Sequence, residues 1–171
     1  MTVDNSATYI AGLVAPNTIL TLFGYNLGCA HSPQVLVNGF AAGILFADTN
    51  QINLVVPGQV SGSSASIQVL CNGTTIGAVA IPAAVVDPAI FTQTGTGTNQ
   101  GSIVNLDGTV NTTSNPILPG SYISVYVTGF GPLNPASPDG LQRLTYPVTA
   151  AISGIASSRR PSVSYASPAR Y

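Results

Sequence analysis

The sequence predicts an all-β protein built of two β-sandwiches in tandem, the second of them short of strands. Three observations carry that expectation. Helix formers are missing: among 171 residues there is no Glu, no Lys and one Met, while 18 Gly and 13 Pro punctuate the chain. Apolar residues recur every second position, as on half-buried strands. One stretch also occurs twice: Pro16–Gly28 (PNTILTLFGYNLG) returns as Pro119–Gly131 (PGSYISVYVTGFG). Each copy opens on Pro, a small turn residue (Asn17, Gly120) and a hydroxyl (Thr18, Ser121). Each then runs as a β-rich strand and closes on an apolar residue and a glycine (Leu27-Gly28, Phe130-Gly131). Leu20 and Leu22 fall opposite Ile123 and Val125, with Thr21 opposite Ser124.

Taken in order, residues 1–8 read as a polar lead-in and Tyr9–Leu13 as an edge strand. The first repeat unit follows. Gln34–Val37 and Ala41–Phe46 flank Asn38-Gly39, a two-residue hairpin signal. Gln51–Val56 alternates with Ile52, Leu54 and Val56 on one face, and Pro57-Gly58 closes it. Ser64–Cys71 puts Ala65, Ile67, Val69 and Cys71 on one face, and Asn72-Gly73 turns it into Thr74–Val86. About seven strands in so short a span is the cadence of an immunoglobulin-like sandwich.

Asp87-Pro88 reads as a boundary, giving one sandwich over 1–87 and a second over 88–171. In the second, Ala89–Thr92 restarts as a strand and Thr94–Gln100 is a loop. Ser102–Leu106 and Thr109–Thr112 flank the hairpin Asp107-Gly108, and Asn115–Gly120 leads into the second repeat unit. Leu133–Gly140 is proline-rich extended loop, Thr145–Ile152 a strand, and 154–171 an irregular tail. Four or five strands stand where the first half has seven. An incomplete sandwich leaves backbone groups unpaired, so the missing strand comes from further chain or from another subunit, as in strand donation.

Only 5% of residues are charged, against about 25% in ordinary domains. The net charge is −1, so there is no basic face for nucleic acid or anionic lipid. Surface and sheet edges without lysine resist self-association poorly. The longest apolar run, Ala78–Val86, contains Pro82 and is far shorter than the ~20 residues of a membrane-spanning helix. The N-terminus shows no signal peptide, which leaves a processed chain or an excised piece of a longer one.

Several ordered blocks resemble a known family. They are NSATY (5–9), APNTILTLFGYNLG (15–28), VLVNGFAAGILFADTNQINLVVP (35–57), DPAIFT (87–92) and GSIVNLDGTVNTTSNPILPGSYISVYVTGFGPL (101–133). Together they resemble the Solibacter-type uncharacterised C-terminal domain of bacterial secreted proteins, and the first part is similar to the IPT/TIG branch of immunoglobulin-like folds. The resemblance implies an extracellular β-sandwich module and carries over no catalytic residue. Residues 154–171 depart from the family's pattern.

Candidate chemistry is sparse. Cys29 and Cys71 read as a disulfide in an oxidising compartment, the alternative being two buried thiols. A closed loop of about 40 residues contributes roughly 3–4 kcal/mol in the chain-entropy account. His31 is the only histidine and no nucleophile elbow lies near it, so it reads as a loop residue and not as part of a triad. Asp4, Asp48, Asp87, Asp107 and Asp139 are scattered at turns and boundaries, where aspartate is a turn former. No metal cluster, cofactor motif or catalytic residue is expected. Asn72-Gly73-Thr74 and Asn111-Thr112-Thr113 match glycosylation sequons. In the second repeat, Tyr122, Ser124, Tyr126 and Thr128 share one strand face and Ile123, Val125 and Val127 the other. The aliphatic face is expected in the core. The tyrosine face then points outward, against a neighbouring domain or as an interface for a subunit or glycan.

The expectation is a non-catalytic, extracellular or cell-surface structural module that self-associates by strand donation. The alternative is a carbohydrate- or surface-binding accessory module of a larger secreted protein.

Overall fold

The computed structural model describes residues 1–152, 155 and 156. It is all-β, with a single 3-10 turn at Cys29–His31 among the described residues. The expected irregular tail, 154–171, lies outside them apart from Ile155–Ala156.

Residues 2–82 form two four-stranded antiparallel sheets. One has the order β1 (Thr2–Asn5), β2 (Ile19–Phe23), β6 (Gln51–Val55), β5 (Gly43–Ala47). The other has the order β4 (Phe40–Ala41), β3 (Gln34–Val37), β7 (Ser64–Cys71), β8 (Thr74–Pro82). This is the immunoglobulin-like arrangement, with A-B-E-D in one layer and C-F-G in the other, and β4 as a short addition beside C. The core lies between the layers. Val3, Leu20, Leu22, Ile52 and Leu54 come from one sheet, and Val35, Val37, Ala65, Ile67 and Val69 from the other. These are the alternate positions of each strand, so the two-residue period does become the buried face. Thr21 points away from that core yet is also buried, because Ser6 covers it and shares a hydrogen bond with it, Oγ to Oγ1 2.8 Å.

Both Asn-Gly hairpins form. Asn38 and Gly39 take φ of 50° and 82°, and Asn72 and Gly73 take 50° and 78°. Two consecutive left-handed residues are what a two-residue turn matched to strand twist requires. Three expectations need correction. The polar lead-in is strand β1, because Val3 and Asn5 fall on the core side of β2's free edge. Tyr9–Leu13 is not a strand but a turn with an isolated bridge from Ala11 to Asp4. Ala41–Phe46 is divided: Phe40–Ala41 pairs with β3, and Gly43–Ala47 crosses to pair with β6 through a bulge between Ile44 and Phe46.

Beyond Asp87 the described strands are short and pair only two at a time. β9 (Ala89–Ile90) pairs with β12 (Val127–Thr128), and β10 (Ile103–Asn105) with β11 (Ile123–Val125). β13 (Ala151–Ile152) pairs with β14 (Ile155–Ala156). Thr109–Thr112 is not a strand and makes only isolated bridges, Val110 to Val104 and Thr112 to Asn115. Of Thr145–Ile152, only the last two residues are strand.

The two repeat units agree in their turns. Thr18 N–H donates to Ala15 C=O and Ser121 N–H to Leu118 C=O, both at 3.1 Å. Asn17 and Gly120 stand at φ 61° and 86°, as the position after proline in a type II turn demands. Asn26 and Gly129, also equivalent, stand at φ 55° and 81°. The units then touch each other. Asn17 Nδ2 donates to Gly131 C=O at 3.0 Å, and Ile19 N–H donates to Thr128 Oγ1 at 2.7 Å. Asp87 sits at the same junction: its Oδ2 accepts from Asn5 Nδ2 and Leu13 N–H, each at 3.3 Å, and its N–H donates to Gly129 C=O at 2.8 Å.

Candidate functional site

The β10–β11 ladder sets Ile103 opposite Val125 and Asn105 opposite Ile123, so these four side chains share a face. Ile123 and Val125 are each 40% exposed, whereas their equivalents Leu20 and Leu22 are 1% and 0% exposed. The aliphatic face expected in the core is therefore open among the described residues. The physical reason is that, among the described residues, no second sheet lies over it. β2 is flanked by β1 and β6 and covered by the opposite layer, while among the described strands β11 pairs only with β10. Amides take the place of an apolar core at its far end. Buried Asn105 donates from Nδ2 to Thr109 Oγ1 (3.2 Å) and Asn115 C=O (3.3 Å), and its Oδ1 accepts from Asn111 Nδ2 at 2.8 Å.

The tyrosines do point outward, Tyr122 at 69% and Tyr126 at 57% exposed. Thr128, expected on their face, is buried instead. The strand breaks at Tyr126, whose C=O accepts from Phe91 N–H and whose N–H donates to Ser102 C=O. Thr128 beyond the break caps the Ile19 amide. Leu106 and Leu118, on the flanking turns, are also open to solvent. The patch thus carries aliphatic and aromatic side chains on both faces of a two-stranded ladder, which is marginal in water by itself.

Beside the ladder runs an open groove of about 660 Å³ lined by Phe91, Thr92, Gln93, Ser102, Ile103, Val104, Val110 and Tyr126. Its three walls are tied by backbone bonds: Ser102 N–H to Phe91 C=O 2.6 Å, Phe91 N–H to Tyr126 C=O 3.0 Å and Tyr126 N–H to Ser102 C=O 3.1 Å. No charged side chain lines it. Sequence reasoning missed Phe91 as part of this site, although Ala89–Thr92 reads as a strand there.

Cys29 and Cys71 are joined in a disulfide, Cα–Cα 5.4 Å, spanning 42 residues. It ties the connection after β2 to the end of β7. Cys29 and Ala30 have φ of 39° and 51°, so the bond anchors a left-handed pair that is strained for residues with a Cβ. His31 ends this turn, and its side chain lies outside what the structure describes.

Asp48, Asp107 and Asp139 serve turns, whereas Asp4 lies within strand β1 and not at a turn, and Asp87 is at the junction described above. Asp48 Oδ1 accepts from Thr49 N–H at 2.6 Å. Asp107 Oδ1 accepts from Thr109 Oγ1 at 2.7 Å and Thr109 N–H at 3.0 Å, and these bonds hold its carboxyl below the usual carboxylate range. Asp139 is lowered by its hydrogen bond from Arg143 (2.7 Å) and then by Leu141 N–H. Among the described residues no three His, Cys, Asp or Glu side chains gather as a metal site would need. No described helix is long and apolar enough to cross a membrane.

No protein-family model matches the chain, and no curated protein matches it.

Proposed function

We propose that this chain is a non-catalytic structural module of a secreted or cell-surface protein, with two tandem immunoglobulin-like units over 1–87 and 88–171. In this reading the open face of the second unit is completed by a strand from another copy. One observation carries it: equivalent positions of a repeated strand are sealed in the first unit and 40% exposed in the second. Uncovered aliphatic side chains beside an unpaired strand edge are the substrate of β-augmentation. The disulfide supports an oxidising compartment. The ordered blocks that resemble the Solibacter-type C-terminal domain support a bacterial extracellular setting. Light scattering in mild buffer tests the reading, with electron micrographs of the same sample. Assemblies larger than a dimer that dissociate when Val125 is changed to Asp are the expected result, and a monomer at all concentrations overturns it.

A second reading, a carbohydrate-binding accessory module, is favoured by the uncharged groove that sets Phe91 and Tyr126 beside Gln93, Thr92 and Ser102. Aromatic faces with amide and hydroxyl partners suit a neutral sugar. A polysaccharide pull-down that fails for Tyr126→Ala supports this reading, and no retention by any neutral glycan removes it.

A further inference from the structure

The first sandwich has four sheet edges, and three of them are guarded. β1 is short and carries Asp4. β4 is two residues long, and β5 is bulged between Ile44 and Phe46. Short, charged or bulged edges are the ordinary protections against edge-to-edge pairing. β8, Thr74–Pro82, is the longest of the described strands and carries no charge.

The direction of its backbone groups follows from the ladder. Asn38 N–H donates to Ser66 C=O, and Ser66 N–H donates to Asn38 Oδ1, so Ser66 faces β3. Residues of a strand alternate in this respect. Ala65 and Ile67 therefore face β8 and hold Ile81 and Val79, their register partners. Ala83 N–H donating to Ser63 C=O keeps the same parity. Ala78 and Ala80 must then aim their N–H and C=O groups outward. Both residues are exposed. Among the described residues this edge is free and is bounded at each end. Toward the C-terminus Val14 occupies it, its N–H donating to Pro82 C=O and its C=O accepting from Ala84 N–H. Toward the N-terminus the register shift leaves Ile76 as an extra residue between Thr75 and Gly77.

We propose that the segment Gly77–Ile81 pairs antiparallel with the same segment of a second copy, with Val79 on the two-fold axis. In that register Ala78 stands opposite the partner's Ala80 and Ala80 opposite the partner's Ala78. Both are hydrogen-bonded pairs, so the two donors and two acceptors that each copy offers are all used. The two Val79 residues form the close, non-hydrogen-bonded pair, roughly 4.5 Å apart at Cα. Val79 and Ile81 already pack half-buried on the core, and the contact extends that core across the axis. Ala78 and Ala80 are small and uncharged, so nothing on the outer face opposes it. A contact that is its own complement closes as a dimer and does not propagate. It is separate from the strand exchange proposed above, which uses residues beyond 88.

The test is sedimentation velocity of the disulfide-intact protein from about 10 µM to about 1 mM, the range for so small an interface. In the Val125→Asp background, where strand exchange is blocked, the expected result is reversible growth from 17.3 kDa to twice that mass. Proton exchange read by NMR should show the Ala78 and Ala80 amides fast when dilute and slowed as the dimer fills, with Val79 and Ile81 slow throughout. Ala80→Pro removes an outward donor without touching the β7 ladder and should raise the dissociation constant about tenfold or more. Ala80→Lys, which sets two like charges diagonally across the axis, is the second variant and should do the same with an unchanged melting temperature. Val125→Asp should leave this dimer intact, which separates it from strand exchange. A dimer that survives both Ala80 variants, no dimer at any concentration, or Ala78 and Ala80 amides that stay fast in the dimer would each overturn the proposal.

Discussion

Leu22 and Val125 hold the same place in the two repeat units, so truncating each to alanine asks what covers each strand. Leu22 is fully buried in the sandwich core. Removing its isobutyl atoms loses their transfer free energy and leaves a cavity, about 3 kcal/mol within the usual 2–5. In a chain of this size that lowers the melting temperature by roughly 6–12 °C. Val125 is 40% exposed. A fully buried methylene is worth about 0.8 kcal/mol, and partial exposure holds the cost of Val125→Ala below about 1 kcal/mol. Urea denaturation at low protein concentration, where each copy is alone, measures both. Repeating it at high concentration should raise the cost of Val125→Ala and leave that of Leu22→Ala unchanged, because only the former residue gains a cover on assembly. If Val125→Ala costs as much as Leu22→Ala in the most dilute sample, the chain covers its own open face and the strand-exchange reading fails.

Replacing Cys29 and Cys71 together by serine releases a 42-residue span and should cost roughly 4 kcal/mol, read as a lowered urea midpoint. A variant as stable as the parent would mean that the left-handed turn holds without its anchor. Thr128→Val removes the acceptor of the Ile19 amide, at a cost of about 1–3 kcal/mol and with faster exchange of that amide. Gly129→Ala places a Cβ against Asp87 C=O at φ 81° and should destabilise by more than about 1 kcal/mol. The Asp107 and Asp139 carboxyls should titrate below the ordinary aspartate range by carbon NMR. Because folding lowers them, their contribution is present above the unfolded value and is lost as pH falls through the folded one. Thr109→Val should return Asp107 toward the ordinary range.

Much of the first sandwich was legible because its strands are self-announcing. Leu20, Leu22, Ile52, Leu54, Ile67 and Val69 alternate, Asn38-Gly39 and Asn72-Gly73 admit one turn geometry, and each signal is local. What escaped was decided by distant chain. Residues 2–5 look polar, and only the free edge of β2 makes Thr2–Asn5 a strand. Gly43–Ala47 follows a hairpin that should keep it beside β3, yet it changes sheet to join β6. The pairing Cys29–Cys71 was readable from cysteine count and the expected compartment. The groove around Phe91 and Tyr126 was not, since it forms where three short segments separated by loops exchange backbone hydrogen bonds.

The second repeat unit shows the limit of periodicity most directly. Alternation states which side chains share a face. It says nothing of whether a layer exists to cover that face. In the first unit β2 has neighbours on both edges and a sheet above it, and the alternation becomes burial. In the second unit the turn is reproduced down to its hydrogen bond and its left-handed residues, yet the strand stops at Tyr126 and its aliphatic side chains meet solvent. A sequence that keeps Ile123 and Val125 aliphatic at such positions carries a recurrent free-energy cost in exposed apolar surface. The strand exchange proposed above would offset that cost by covering them. A repeated turn with an uncovered strand is thus a more specific pointer to an assembly contact than any exposed hydrophobic residue considered alone.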